Sequence, residues 1–181
     1  VASAGYPDAY QAGKPISGTL TSLQCCPVGE GAAAVIVASE EAIKRLNIDA
    51  SRAIRESASA TASERVGTHT NADAALTVET VALALAQAKL PATKLDLIEL
   101  HDAFTIEELH YIEAIGLCAP GEGIRRLKEG AFDIGGTCAV SPSGGLIAMG
   151  HPIGPTGIGQ IAEIALQLRG EAGERQHKGA R

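Results

Sequence analysis

Two histidines stand in the positions of this chain where chemistry is easiest to place. His151 lies between glycine-dense turns in Ser141–Gly159, SPSGGLIAMGHPIGPTGIG, just ahead of an amphipathic segment. His101 closes the apolar run Leu95–Leu100 and opens His101-Asp102-Ala103-Phe104. An imidazole is the side chain most easily poised near neutral pH, so two on one rim can activate a nucleophile and stabilise a developing oxyanion. The competing reading makes each a buried, hydrogen-bonded structural histidine. His110 on a charged helix face, His69 in a polar loop and His177 in the tail read as solvated surface.

The elements that must carry these residues alternate between strand and helix. Ala32–Ser39 (AAAVIVAS) suits a strand buried on both faces, and Glu40–Leu46 a helix with Ser39 as N-cap. Ser51–Ala62 reads as a second strand, followed by a polar loop with Gly67, His69 and Asn71. Ala72–Leu90 carries a helical apolar stripe that Pro91 stops. Leu95–Leu100 is a compact strand, and Thr105-x-x-Glu108 supplies a capping box for a helix through Leu109, Ile112 and Ile115, ended by Gly116. A Gly-rich connection over 117–137 and an interrupted strand over 138–149 lead to a last helix, Pro155–Arg169. That helix has an Ile158, Ile161, Ala162, Ala165, Leu168 stripe. The alternation predicts an α/β layer structure around a mostly parallel mixed sheet with helices on both faces. Ligands collect beyond the carboxyl ends of strands in such sheets, which places His101 and His151 on one rim.

Composition narrows the function classes. With 181 residues, 45% hydrophobic and 20% charged, the chain suits one domain with a single core. A net charge of -6 and a lone basic cluster at Arg125, Arg126 and Lys128 offer no footprint for nucleic acid or an anionic membrane. No apolar run approaches the ~20 residues of a membrane span. Cys25, Cys26, Cys118 and Cys138 lack zinc-ribbon or CxxC spacing. Without a targeting segment, the chain is expected to be cytoplasmic and reduced. It does not start with Met, so a longer gene product is expected. His101, Asp102, Glu107 and His110 are close in sequence but lack an HExxH-type pair, so no metal is expected. Neither phosphate-binding glycine motif is present, so the glycines are read as places where backbone approaches backbone or substrate.

HDAF at 101–104, GG-(x)4-GHPIG at 144–154, Gly-Ala-Ala-Ala at 31–34 and QLRGEAGERQ at 167–176 resemble the C-terminal half of a thiolase. The likeness is to the sterol-carrier-protein-type and archaeal acetyl-CoA acetyltransferase-like branch. It runs from about residue 15 to 176. It implies a connecting segment and substrate-tunnel loop over 1–30, a thiolase C-terminal domain over 31–176 and a tail over 177–181.

By the same resemblance His151 is the GHP histidine that activates a cysteine nucleophile, and His101 holds the thioester oxygen or a water in an oxyanion hole. Phe104, Gly145, Gly150 and Cys26 are implied to line the substrate site, with Cys25–Glu30 at the pantetheine tunnel. The substrate would be a coenzyme A thioester, acyl-CoA, with no further cofactor. None of the four cysteines stands in the nucleophile's motif, so an N-terminal thiolase half or companion chain, in a homo- or hetero-oligomer, is expected to supply it. The family's second cysteine, in a CxG loop, has no counterpart before Arg181, and the last strands are expected to be missing. Ala103 replaces the Cys of HDCF, GPTG stands for GATG, and Val140-Ser141-Pro142 for VNP. The implied chemistry is Claisen condensation or thiolysis of thioesters, with an aldolase-type relative lacking the cysteine, or a non-catalytic assembly subunit, as the alternatives. An exposed apolar edge, covered by the companion half, is expected with it.

Overall fold

The computed structural model describes residues 13–63 and 72–181. The polar loop with Gly67, His69 and Asn71, and the first dozen residues of the connecting segment, lie outside the described residues. Chain order is β1 (Pro15–Ser17), β2 (Leu20–Thr21), α1 (Glu40–Arg45), α2 (Ala72–Ala88), β3 (Leu97–Ile98), α3 (Thr105–Ile115), α4 (Gly123–Lys128), β4 (Ala139–Val140), α5 (Gly145–Met149) and α6 (Thr156–Arg169). β1 and β2 form an antiparallel hairpin. β3 and β4 pair in parallel, with Leu97 opposite Ala139 and Ile98 opposite Val140. The fold is α/β, and its parallel sheet is small.

Local signals set the helix ends. Ser39 Oγ accepts the Ala42 N–H at 3.1 Å and opens α1, as expected. α2 ends at Ala88, because Lys89 turns to φ 55° and Leu90 closes back on the Leu85 carbonyl ahead of Pro91. Gly116 ends α3 at φ 87° and Gly170 ends α6 at φ 72°, both in the left-handed region. The cap of α3 differs from the expectation by one residue. Phe104 is the N-cap, and Glu107, not Glu108, reaches back to its N–H at 3.2 Å. Thr105 is already helical, so Glu108 sits one position deeper, partly buried.

The core gathers on α3. Ile112, Ala131 and Phe132 are buried together, with Leu117, Cys118, Leu127 and Val140 packed around them. α2 packs against α3. The 117–137 connection thus contributes core residues and a helix, α4, that its glycines conceal.

Three expectations are corrected here. Ala32–Ser39 is not a buried strand: it has no ladder among the described residues, and Ile36 and Val37 are 95% and 81% exposed. Ser51–Ala62 likewise joins no ladder. It opens with a 3-10 turn at Ala50–Arg52 and is tied down by side chains, Arg52 to Glu171 at 2.5 Å and the Ser59 N–H to Gln87 Oε1 at 3.2 Å. An extended run becomes a strand only where another strand shares its amides, and apolar composition supplies no such partner. The third correction concerns α6 and the tail. Ile161 is 54% exposed, while Glu163 and Gln167 face inward. Arg175 pairs with Glu163 at 2.9 Å, and Gln167 Oε1 accepts the His177 N–H at 2.8 Å. His177, read as surface, is 7% exposed, and its Nδ1 accepts the Gly135 N–H at 3.2 Å. Buried polar side chains are tolerated where each finds a partner, and this network supplies them.

No described helix is long and apolar enough to cross a membrane.

Candidate active site

His101 and His151, 50 residues apart in sequence, meet with Nε2 atoms 3.3 Å apart. Their rings are edge-on, with centroids 4.7 Å apart and planes at 88°. At that distance one ring can donate to the other, in the sense that their tautomers set. His101 is exposed and His151 half-buried, so the pair stands open at the surface of the fold.

Each histidine is held through its neighbours. β3 delivers His101, and two contacts fix the preceding Leu100: its N–H donates to Ser141 Oγ at 3.3 Å, and its carbonyl accepts from Gln160 Nε2 on α6. Ser141 is left-handed at φ 44°, a region in which Asn and Gly are at ease and serine is strained. Asp102 is 2% exposed, and its Oδ1 accepts the Leu146 N–H at 2.8 Å. Glu99 takes both the N–H and the hydroxyl of Ser143, at 3.0 and 2.7 Å. The end of β3 is therefore stitched to the loop and to α5, which lead into His151.

His151 is fixed from the other side by the segment 25–28. The His151 N–H donates to the Pro27 carbonyl at 2.8 Å, and the Cys26 N–H donates to the Ala103 carbonyl at 2.8 Å. Bridges pair Cys25 with Phe104 and Val28 with His151. One short stretch of chain thus spans both histidine turns. The ring of His151 is set by Thr156, whose Oγ1 lies 2.8 Å from Nδ1.

The carboxyls beneath the site are perturbed by burial. Asp102 is raised by desolvation, opposed by the Leu146 N–H and other backbone N–H groups. Glu99 is raised by desolvation and pulled back by its two Ser143 hydrogen bonds. Burial, with Asp102 nearby, pushes Glu108 up to about 7.

Of the residues expected to line the site, Cys26 joins the His101 turn through its N–H bond to the Ala103 carbonyl, Phe104 follows in that turn, and Gly150 directly precedes His151. Phe104, the N-cap of α3, is 40% exposed and bridges to Cys25. Gly150, at φ 83°, lets the chain pass the Pro27 carbonyl, which a Cβ would meet at 3.3 Å. At Gly145 a Cβ would come within 2.0 Å of Asp102 Oδ2, so only glycine fits against that carboxylate. The four residues weighed as metal ligands do not converge, because Asp102 is turned to the α5 amides. Among the described residues no group of three or more His, Cys, Asp or Glu side chains is arranged to hold a metal ion. An apolar cavity of about 470 Å³ between α2, β3 and α3, lined by Val81, Leu85, Ile98 and Ile115, has His101 on its rim. Sequence reasoning missed Ser141, Gln160 and Thr156. Thr156 has one visible signal, a hydroxyl at the first helical position after Pro155.

The family profile described as thiolase C-terminal domain-like matches residues 58–181. The chain belongs to the thiolase family. It is 39% identical to sterol carrier protein 2 of Oryctolagus cuniculus over 181 residues, covering 96% of this chain and 33% of that protein. It is 41% identical to the benzoylsuccinyl-CoA thiolase subunit BbsB of Thauera aromatica, covering 86% of this chain and 40% of that one. With the acetyl-CoA acetyltransferase of Methanothermobacter thermautotrophicus it shares 40% identity over 91% of this chain and 43% of the relative. Among solved structures it is similar to the Ltp2-ChsH2(DUF35) aldolase, at 27% identity and a TM-score of 0.52, covering 59% of this chain and 27% of that one. The chain thus spans between 33% and 43% of the length of these curated thiolase-family relatives.

Proposed function

We propose that this chain supplies the histidine-bearing half of a thiolase-type site acting on coenzyme A thioesters, with His151 as base and His101 as the oxyanion donor. The observation that supports it is the pair of Nε2 atoms 3.3 Å apart on an open surface. One nitrogen takes a proton from the attacking group, and the other offers an N–H to the thioester oxygen as charge develops there.

The attacking sulfur comes from elsewhere in the assembly. Burial pushes Cys138 up to about 11 and raises Cys26 and Cys118, the reverse of what a reactive thiolate needs. Cys25 Sγ donates to the Thr21 carbonyl at 3.4 Å. A companion carrying the nucleophilic cysteine, as an N-terminal half or a separate subunit, completes the site, and the name of the Thauera aromatica relative, a thiolase subunit, accords with such a division.

In the native assembly containing this chain, His151→Ala is expected to lower acyl transfer between CoA thioesters about 10²–10⁴-fold. Turnover near the unsubstituted rate would refute the assignment. The likeness to an aldolase favours a second reading, in which the same histidines serve carbon–carbon cleavage of a hydroxyacyl-CoA ester. Thiolysis consumes one free CoA thiol per bond broken and yields two thioesters. Aldol cleavage consumes none and releases an aldehyde or ketone, so a thiol count during turnover separates the two.

A further inference from the structure

We infer that Thr156 is a positioning residue that fixes the tautomer of His151 and thereby decides which histidine of the pair is the base. The inference rests on the proposed roles of the two histidines only for its functional meaning. Its geometry stands by itself.

A threonine hydroxyl has one proton to give. Thr156 Oγ1 lies 2.8 Å from the Pro152 carbonyl oxygen, which can only accept, so the hydroxyl proton is committed there. The same Oγ1 lies 2.8 Å from His151 Nδ1. With its proton spent, Oγ1 can only accept on that side, and Nδ1 must carry the hydrogen. A bare Nδ1 would set lone pair against lone pair at hydrogen-bond distance.

The consequence passes across the ring. In neutral His151 with Nδ1 protonated, Nε2 is a bare acceptor, and it faces His101 Nε2 at 3.3 Å. His101 therefore carries its proton on Nε2 and donates. One threonine hydroxyl thus sets both roles: His151 Nε2 is the bare nitrogen that can take a proton, and His101 Nε2–H is the hydrogen that turns to an oxyanion once His151 Nε2 is protonated and no longer accepts it. When His151 accepts its proton, its Nδ1–H···Oγ1 bond is retained and the ring keeps its orientation. Thr156 has the backbone to do this, since its own N–H also closes on the Pro152 carbonyl at 3.1 Å and α6 begins at this residue.

The test is the tautomeric state, read from long-range ¹H–¹⁵N correlation of the ¹⁵N-histidine-labelled 181-residue protein at mildly alkaline pH, where imidazoles are neutral. Signals are assigned by single histidine substitutions. The expected spectrum has a protonated Nδ1 and bare Nε2 for His151, and the reverse for His101. Thr156→Val, which removes the acceptor, should cut the bias toward the Nδ1–H form of His151 about tenfold, the worth of one partly buried hydrogen bond. Thr156→Ser, which keeps the oxygen, should retain it. An Nε2–H His151 in the unsubstituted protein overturns the inference, whether or not the valine variant folds, and so does an unchanged bias in a folded Thr156→Val. The measurement involves no turnover, so failure of the acyl-transfer reading leaves its result standing. A refuted tautomer would likewise leave acyl transfer to its own assay.

Discussion

Replacing Gly145 by alanine tests the joint between the two histidine turns most directly. Gly145 has φ +63°, so alanine there pays the left-handed penalty of about 1–2 kcal/mol. The added Cβ would also lie 2.0 Å from Asp102 Oδ2 and 2.6 Å from its Cγ. No real Cβ tolerates that approach, so the carboxylate or α5 must move. Movement breaks the 2.8 Å bond from the Leu146 N–H to Asp102. Loss of a hydrogen bond to a buried carboxylate costs about 1.5–3 kcal/mol. Together Gly145→Ala should destabilise the protein by about 2.5–5 kcal/mol, a large part of the 5–15 kcal/mol that typically holds a fold. Denaturant unfolding of the protein and its variant measures this. A double-mutant cycle with Asp102→Ala isolates the clash: the double variant lacks the carboxylate that the Cβ strikes, so it should be more stable than the sum of the single losses by about 2 kcal/mol. A Gly145→Ala change within about 0.5 kcal/mol of the parent, or a cycle that closes additively, would refute the reasoning.

Two further outcomes follow from buried charge. Glu108 is raised to about 7 by burial and by Asp102, so the folded state favours its neutral form. Its contribution is fully present below the unfolded value of 4.5 and is lost as pH rises through about 7. Glu108→Gln should therefore gain stability over the parent as pH rises through that window. The gain is about 1–2 kcal/mol, the full shift being discounted because the side chain is only partly buried. Parallel unfolding curves across pH check it, and a constant difference would count against it. Arg175→Ala removes the cation paired with the Glu163 carboxylate, which is 7% exposed and also accepts from Gln167 Nε2 at 3.1 Å. It should cost about 1–3 kcal/mol and raise amide hydrogen exchange at His177, whose N–H donates to Gln167. Unchanged exchange there would show that the network does not hold the tail.

The site was legible where the signal was local. His101 at the end of an apolar run and His151 in its glycine frame were picked out by residue type and spacing, and HDAF and GHPIG carried the family. Ser39 and Gly116 marked helix ends because a cap or a left-handed turn is a property of a few adjacent residues. The α6 stripe misled for the opposite reason. Ile161 obeys the periodicity yet is exposed, and Glu163 and Gln167 break it yet are buried, since their partners Arg175, Gln176 and His177 lie beyond the helix. Residues 117–137 hid α4 and two of the core cluster's buried residues because glycine density reads as loop, whereas Ala131 and Phe132 are fixed by contact with Ile112 on another element.

By itself, then, the sequence determined four of the helices, α1, α2, α3 and α6, most of their ends, and the two imidazoles on which the reading rests. These depend on backbone preferences and hydrogen bonds within a few residues. Tertiary structure decided the rest: that Ala32–Ser39 has no ladder among the described residues, that His177 is buried, that Asp102 holds α5, and that His101 and His151 meet at 3.3 Å. Each of these requires a partner 12 or more residues away in sequence, or its absence, and no local pattern encodes where a distant amide, carboxylate or second imidazole will stand.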